Sequence, residues 1–161
     1  MSSALQMVRF SPKPRSSCTK TLKDSGTPAA VEGSPFPVCY NGNVYSLADA
    51  EAIAARFPTV ESVMIGRGLV ADPGMLTGST DRQTLKAFLS ELSDTYCIVF
   101  ESKRNAIYRM KDNWHYLIAL FEGSDKLWKE MRKSTDYDRF MAIANEIITT
   151  LPMRAHPEIS W

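Results

Sequence analysis

Residues 37–73 read PVCYNGNVYSLADAEAIAARFPTVESVMIGRGLVADP, and this stretch decides the fold of the first part of the chain. A short apolar run ends at an NG pair, which is typical of tight turns, and Ser46 then offers a cap for a helix with apolar residues at helical spacing. Residues 60–65 form a second apolar run, which leads into GRG. The order predicts a βαβ unit in which a glycine turn follows each strand.

The two glycine turns suggest a phosphate site. The last two strands of many α/β barrels form such a site at their carboxyl ends. Gly42, Gly66 and Gly68 lack a Cβ atom, so their backbone N–H groups can approach an anion, and Arg67 can add a charge-assisted contact. An ordinary turn at NG and an ordinary helix entry at GRG remain the alternative interpretation, because isolated glycine turns are a weak signal.

After residue 74 the pattern changes to helices alone, which predicts an all-α helical bundle over residues 77–151. The four predicted helices begin at Thr80 or Asp81, at Ser102, at Ser124 and after Thr135. The second is expected to continue to Gly123. Residues 152–161 show no period and are predicted to be an irregular tail.

Residues 1–34 are rich in Ser, Pro, Thr and Lys and keep no helical or strand period, so we predict a disordered or remnant leader. The chain has 161 residues, whereas an eight-stranded barrel takes about 250. It can therefore supply only part of such a barrel. No apolar run is long enough for a membrane span.

The three cysteines, Cys18, Cys39 and Cys97, have no metal-ligand spacing, so no metal site is predicted and a reduced, intracellular protein is expected.

The net charge of +1 carries no argument about partners. The distribution is more informative, because residues 103–133 hold eight basic and four acidic side chains. Such an excess on two consecutive helices suits a phosphate backbone, although a solvated helix surface is the alternative.

The segment NGNVYSLADAEAI followed by VESVMIGRGLVADPGML resembles the end of the barrel of the tRNA-dihydrouridine synthase family, and the resemblance covers about residues 36–148. It implies an α/β fragment that comprises the last βα units of a TIM barrel, with residues 35–76 as the C-terminal part of an FMN domain. Residues 77–151 would be the helical tRNA-binding domain. Asn43 departs from the family's usual Asp, and Asp72 stands where Asn is common.

The resemblance also implies site residues. The phosphate end of FMN would be held by Asn41, Gly42, Asn43, Gly66 and Arg67. The segment RMKDNWHYL resembles the family's tRNA-binding helix, and the candidates for RNA contact are Arg104, Arg109, Lys111 and Tyr116. No catalytic residue is assigned, because the family's catalytic cysteine belongs to an earlier part of the barrel.

The family reaction is the reduction of uridine in tRNA to dihydrouridine by FMN, with NADPH as reductant, in the cytoplasm. Two βα units cannot close a barrel. The two strands would present open edges unless a complementing chain or the leader pairs with them. We therefore expect this chain alone, as a truncated or frame-shifted form, to bind FMN weakly if at all and to be inactive. Two alternatives stay open: a non-catalytic RNA-binding helical module, and a fragment of another flavin- or phosphate-binding TIM barrel.

Overall fold

A computed structural model describes residues 21–22, 38–78 and 80–158. The chain divides into two compact units, of which one ends at Gly66 and the other begins at Arg67. The sequence placed the domain boundary after residue 76, so the observed division falls earlier, inside the second glycine turn. The predicted leader, residues 1–34, lies outside the described residues except for Thr21 and Leu22.

The first unit contains a parallel sheet with one helix. Its elements are β1 (Thr21–Leu22), β2 (Val38–Tyr40), α1 (Leu47–Arg56) and β3 (Val60–Val63). The strand order is β1-β2-β3, and both pairs are parallel. The predicted βαβ unit is thus present as β2, α1 and β3. Strand β1 belongs to the leader, which the sequence indicated as one of two partners for the open strands, although no strand was predicted there.

Helix α1 begins where the sequence predicts it. The Ser46 hydroxyl accepts a hydrogen bond from the backbone N–H of Asp49 at 3.1 Å, and the Asp49 carboxylate accepts one from the N–H of Tyr45 at 2.9 Å. The first bond satisfies a donor that the first helical turn leaves without an intrahelical partner, and the second holds the residue before the cap against the helix. Helix α1 ends shortly before Pro58, which prevents its continuation, and its C-cap residue Phe57 is buried.

The second unit is helical within the residues that the structure describes. Its elements are α2 (Arg67–Ala71), α3 (Arg82–Val99), α4 (Lys103–Leu117), a 3-10 turn (Ile118–Leu120), α5 (Asp125–Lys133) and α6 (Tyr137–Thr150). Asp81 caps α3 by accepting the N–H of Thr84 at 2.8 Å, and this bond holds the pKa of the Asp81 carboxyl below its usual value.

The prediction that the second long helix reaches Gly123 is wrong. Helix α4 ends at Leu117, the 3-10 turn follows, and Phe121 has an extended backbone that pairs with Met153 in an antiparallel bridge. Phe121 fits the helical spacing of apolar residues in the sequence. In the structure its ring packs against the indole of Trp114 from outside the helix, with ring centroids 6.2 Å apart. Apolar spacing alone therefore overestimated the helix.

One apolar core joins the four longer helices. Trp114, Phe140 and Ile147 are completely buried in it, together with Leu85 and Leu89 from α3. Helix α4 packs against α2, α3 and α6, and α5 packs against α6. The first part of the chain is therefore an α/β segment and the second is all helical.

The segment after α6 is irregular but anchored. The backbone N–H of Arg154 donates to the carbonyl of Leu120 at 2.7 Å, and the N–H of Glu158 donates to the carbonyl of Ala119 at 3.2 Å. The tail thus lies along the 3-10 turn, and residues 159–161 of the predicted tail lie outside the described residues. No described helix combines the length and apolar character needed to cross a membrane.

Candidate functional site

The two glycine turns leave the same edge of the sheet. Tyr40 pairs with Val63 in the parallel β2–β3 ladder, and the N–H of Met64 donates to the Tyr40 carbonyl at 2.7 Å. Gly42 follows Tyr40 closely in the chain and Gly66 follows Val63 closely, so both turns begin at the carboxyl ends of adjacent strands. Asn41 and Asn43 lie in the first of these turns.

Gly42 is required by the packing of the chain itself. A Cβ atom at this position would lie 2.2 Å from the hydroxyl oxygen of Tyr40 and 2.7 Å from a carbon of its ring. Tyr40 is only 1% exposed, so its side chain cannot easily move aside. The phenol of Tyr40 therefore explains this glycine without a ligand.

Gly66 differs from Gly42, because no atom lies within 4 Å of the position that its Cβ would take. The backbone N–H groups of Gly42 and Gly66 donate to no acceptor in the part of the chain that the structure describes. The hydroxyl of Tyr45, in the turn after β2, is buried and has no hydrogen-bond partner among the described residues. This edge therefore offers two available amide donors and open space at one of the glycines, which fits an anionic oxygen ligand such as a phosphate.

Arg67, the remaining phosphate candidate, is the first residue of α2 and belongs to the second unit. Asp72, a departure from the family pattern, is 1% exposed and accepts a hydrogen bond from the Thr80 hydroxyl. The Thr80 oxygen in turn accepts the backbone N–H of Gly74 at 2.7 Å. The carboxylate of Asp72, which stands where Asn is common in the family, thus has a hydrogen-bond partner within its turn.

The four candidate RNA residues lie on α4 but not on one face. At about 100° per residue, Arg109 and Tyr116 share one side of the helix, while Arg104 and Lys111 share another about 140° away. The guanidinium of Arg109 lies 3.5 Å from the carboxylate of Asp112. The ammonium group of Lys111 donates to the backbone carbonyl of Ser134 at 2.5 Å. Helix α4 therefore presents these side chains in two separate groups. Lys111, in the second group, is held by the C-terminal end of α5.

Helix α5 carries part of the basic excess that the sequence shows over residues 103–133, although none of its residues was among the four RNA candidates. Lys126, Lys129 and Lys133 are exposed and form no ion pair within the described residues; we call them the basic face of α5. Their spacing of three and four residues puts them on one side of the helix. This arrangement could be predicted from the sequence spacing once the bounds of α5 are known.

Aromatic side chains lie next to this basic face. The guanidinium of Arg132 is 5.8 Å from the ring centroid of Trp128, and the His115 ring is 6.5 Å from it. His115 also contacts Tyr116 edge to face, with centroids 5.1 Å apart. Tyr116 therefore belongs to a group that joins α4 to α5. Basic and aromatic side chains together are the combination that binds the backbone and the bases of single-stranded nucleic acid.

The described residues contain no group of three or more metal-ligating side chains.

No curated protein matches the chain. The model of the dihydrouridine synthase (Dus) family matches residues 30–151, which include both glycine turns and all the described helices. Because this match extends over well more than half of the sequence, the chain belongs to the dihydrouridine synthase family.

Proposed function

We propose that this chain serves the reduction of uridine to dihydrouridine in tRNA by holding the phosphate end of FMN and by docking tRNA. The observation that supports the first role most is the parallel β2–β3 pair, which brings two glycine turns with available amide donors to one edge. The family match supports the reaction.

In the phosphate site, the N–H groups of Gly42 and Gly66 would donate to phosphate oxygens. Open space at Gly66 lets an oxygen approach its backbone closely, and Asn41 and Asn43 add side-chain amides in the first turn. The sequence also predicts a charge-assisted hydrogen bond from Arg67 to the phosphate. When bound and reduced by NADPH, FMN supplies the hydride for the uracil ring. The residues of this chain thus orient the cofactor through its phosphate.

In the helical unit, the basic face of α5 and the exposed Arg104 would neutralise tRNA phosphates. The target uridine must leave its stack to be reduced, because its ring is inaccessible inside a helix. A docking surface that binds the backbone at many points can supply the free energy for this unstacking.

The flavin role is tested by comparing FMN with riboflavin, which lacks the phosphate. The described sheet has three strands, so we expect binding to depend on the phosphate contacts. Flavin fluorescence titration should give a measurable affinity for FMN and at least a tenfold weaker one for riboflavin. Equal affinities for the two flavins would contradict the phosphate site.

An RNA-binding module without flavin chemistry is the second candidate function, favoured by the uncompensated lysines of α5. It predicts tRNA binding that is unaffected by FMN and no flavin binding. The expectation that the chain alone is inactive stays a prediction, and NADPH oxidation with FMN and tRNA present tests it.

A further inference from the structure

The helical unit contains an open cavity of about 300 Å³ between the 3-10 turn, the start of α5 and the tail. Its lining includes Ile118, Phe121, Asp125, Trp128, Arg154 and Glu158. Ligand pockets range upward from about 300 Å³, so this volume suits one planar ring rather than a chain of several. The cavity lies beside the basic face of α5, since Asp125 of the lining and Lys129 are four residues apart and are neighbours on the surface of that helix.

Contacts within the protein join the walls of the cavity. The Arg154 guanidinium donates to the Ala119 carbonyl at 3.3 Å and lies 3.3 Å from the carboxylate of Glu158. Phe121, which packs on Trp114, is 1% exposed and forms an apolar wall. The Arg154 bond to Ala119 thus connects the tail to the 3-10 turn at the cavity.

The charges of the lining argue against a phosphate inside the cavity. Asp125 and Glu158 contribute two carboxylates, whereas Arg154 is the one cation among the lining residues and is already paired with Glu158. Asp125 forms no ion pair with the described residues. An ionised carboxylate only accepts hydrogen bonds, so the suitable ligand is a neutral ring that donates N–H groups.

Trp128 supplies the stacking surface for such a ring. It is half-buried, and the guanidinium of Arg132 and the ring of His115 lie 5.8 and 6.5 Å from its ring centroid, so a stacking base would replace one of these neighbours. Every nucleobase has a π-face that stacks on an indole. Cytosine, adenine and guanine also carry an exocyclic amino group that can donate to a carboxylate, whereas the one ring N–H donor of uracil, at N3, is flanked by two carbonyl oxygens that repel a carboxylate.

We propose that this cavity binds an unstacked, amino-bearing nucleobase of the docked RNA, with the ring on Trp128, the amino group on Asp125 and the flanking phosphates on Lys129 and Arg132. The inference rests on the proposed docking of tRNA and adds a base-reading contact to it. It makes Asp125 a specificity-determining residue and Trp128 the principal stacking residue.

The test compares the binding of two single-stranded RNA hexamers, rC6 and rU6, to the full chain by fluorescence anisotropy at one salt concentration. The hexamers carry the same charge and differ in the base alone. The wild type should bind rC6 about fivefold or more tightly than rU6. Asp125→Asn should abolish or reverse this preference, because its amide can donate to the uracil O4 atom.

The second arm changes the stacking residue. Trp128→Leu keeps an apolar side chain but removes the aromatic face, so binding of both hexamers should weaken roughly 5- to 100-fold. Trp128→Phe should retain most of the affinity. Phe88→Leu is the matched control, since Phe88 is an exposed aromatic residue of α3 that is not part of the cavity lining, and it should have no effect. Thermal unfolding followed by circular dichroism shows whether each variant is folded.

Equal affinity of the wild type for rC6 and rU6, or unchanged affinity in a folded Trp128→Leu variant, would overturn the proposal. These outcomes are distinguishable from failure of the docking function. If tRNA binds through the lysines of α5 but Trp128→Leu has no effect, docking stands and the cavity assignment falls. If rC6 is preferred but tRNA is not bound, the cavity stands and docking falls.

Discussion

The side-chain nitrogen of Lys111 donates a hydrogen bond to the backbone carbonyl of Ser134, at a distance of 2.5 Å. Ser134 is the C-cap residue of α5, where carbonyl groups lack intrahelical partners and the helix end carries partial negative charge. Lys111 is half-buried and comes from the middle of α4. This lysine therefore ties two helices together, in addition to any role in binding RNA.

Replacing Lys111 should affect stability more than RNA binding. Lys111→Met keeps most of the apolar stem but removes the donor, so the free energy of unfolding should fall by about 1–3 kcal/mol. Urea denaturation measures this loss. Lys129→Met is the matched control on an exposed surface, where stability should change by less than about 0.5 kcal/mol. A Lys111→Met variant with full stability and no tRNA affinity would contradict this assignment.

The basic face of α5 should determine the salt dependence of tRNA binding. Replacing Lys126, Lys129 and Lys133 together by Ala should lower the slope of log K against log salt by up to about three, because each lost phosphate contact removes about one. Anisotropy of labelled tRNA across a range of NaCl concentrations gives the slope. Lys86→Ala, at an exposed lysine of α3, should leave it unchanged. An unaltered slope in the triple variant would rule out this face.

Substitution by Ala should lower the folding stability at Gly42 but leave it nearly unchanged at Gly66. Gly42→Ala places a carbon against the buried phenol of Tyr40, and overpacking of this kind costs about 1–3 kcal/mol of folding free energy. Gly66→Ala meets no atom within 4 Å, so stability should stay within about 0.5 kcal/mol of the wild type. FMN affinity should nevertheless fall in Gly66→Ala, because the added methyl group occupies the space where an oxygen would approach. Unchanged FMN affinity in this variant would remove Gly66 from the site.

Tyr137 should make the helical unit sensitive to alkaline pH. Burial raises the pKa of Tyr137 above its usual value of 10.0, and the nearby Cys97 and Asp94 raise it further, while the hydrogen bond with Ser93 opposes them. The ionised phenol is therefore less favourable in the folded state than in the unfolded state. The associated stability is fully present below pH 10.0 and is lost as the pH rises above it.

Denaturation of the wild type and of Tyr137→Phe at several alkaline pH values isolates this effect from the other tyrosines. The variant loses the 2.8 Å bond between Ser93 and Tyr137, so it should be less stable near neutral pH. Its stability should then decline less steeply than that of the wild type as the pH rises. Parallel declines in the two proteins would show that Tyr137 does not contribute.

Much of the local structure was predictable because it depends on short-range chemistry. Ser46, Asp81 and Ser102 are N-caps of α1, α3 and α4, where the sequence predicts helix starts. The apolar runs on either side of α1 became the parallel strands β2 and β3. Capping and apolar spacing act over three or four residues, so they are readable without knowledge of the fold.

The end of α4 and the position of β1 within the leader were not predictable from such signals. Phe121 continues the helical apolar period, but packing on Trp114 and pairing with Met153 give it an extended backbone. Strand β1 has two residues and owes its existence to pairing with β2. Contacts between residues distant in the chain decide both cases.

By itself, the sequence determined the βαβ order, the helical second half and the glycine turns that identify the family, because these features depend on residue type and spacing along the chain. The tertiary structure alone decided what the individual side chains do. It placed Lys111 at the end of α5, set Tyr40 against Gly42 while leaving Gly66 open, and assembled a cavity from the 3-10 turn, α5 and the tail. Those roles depend on distances between residues far apart in the chain, and packing fixes such distances.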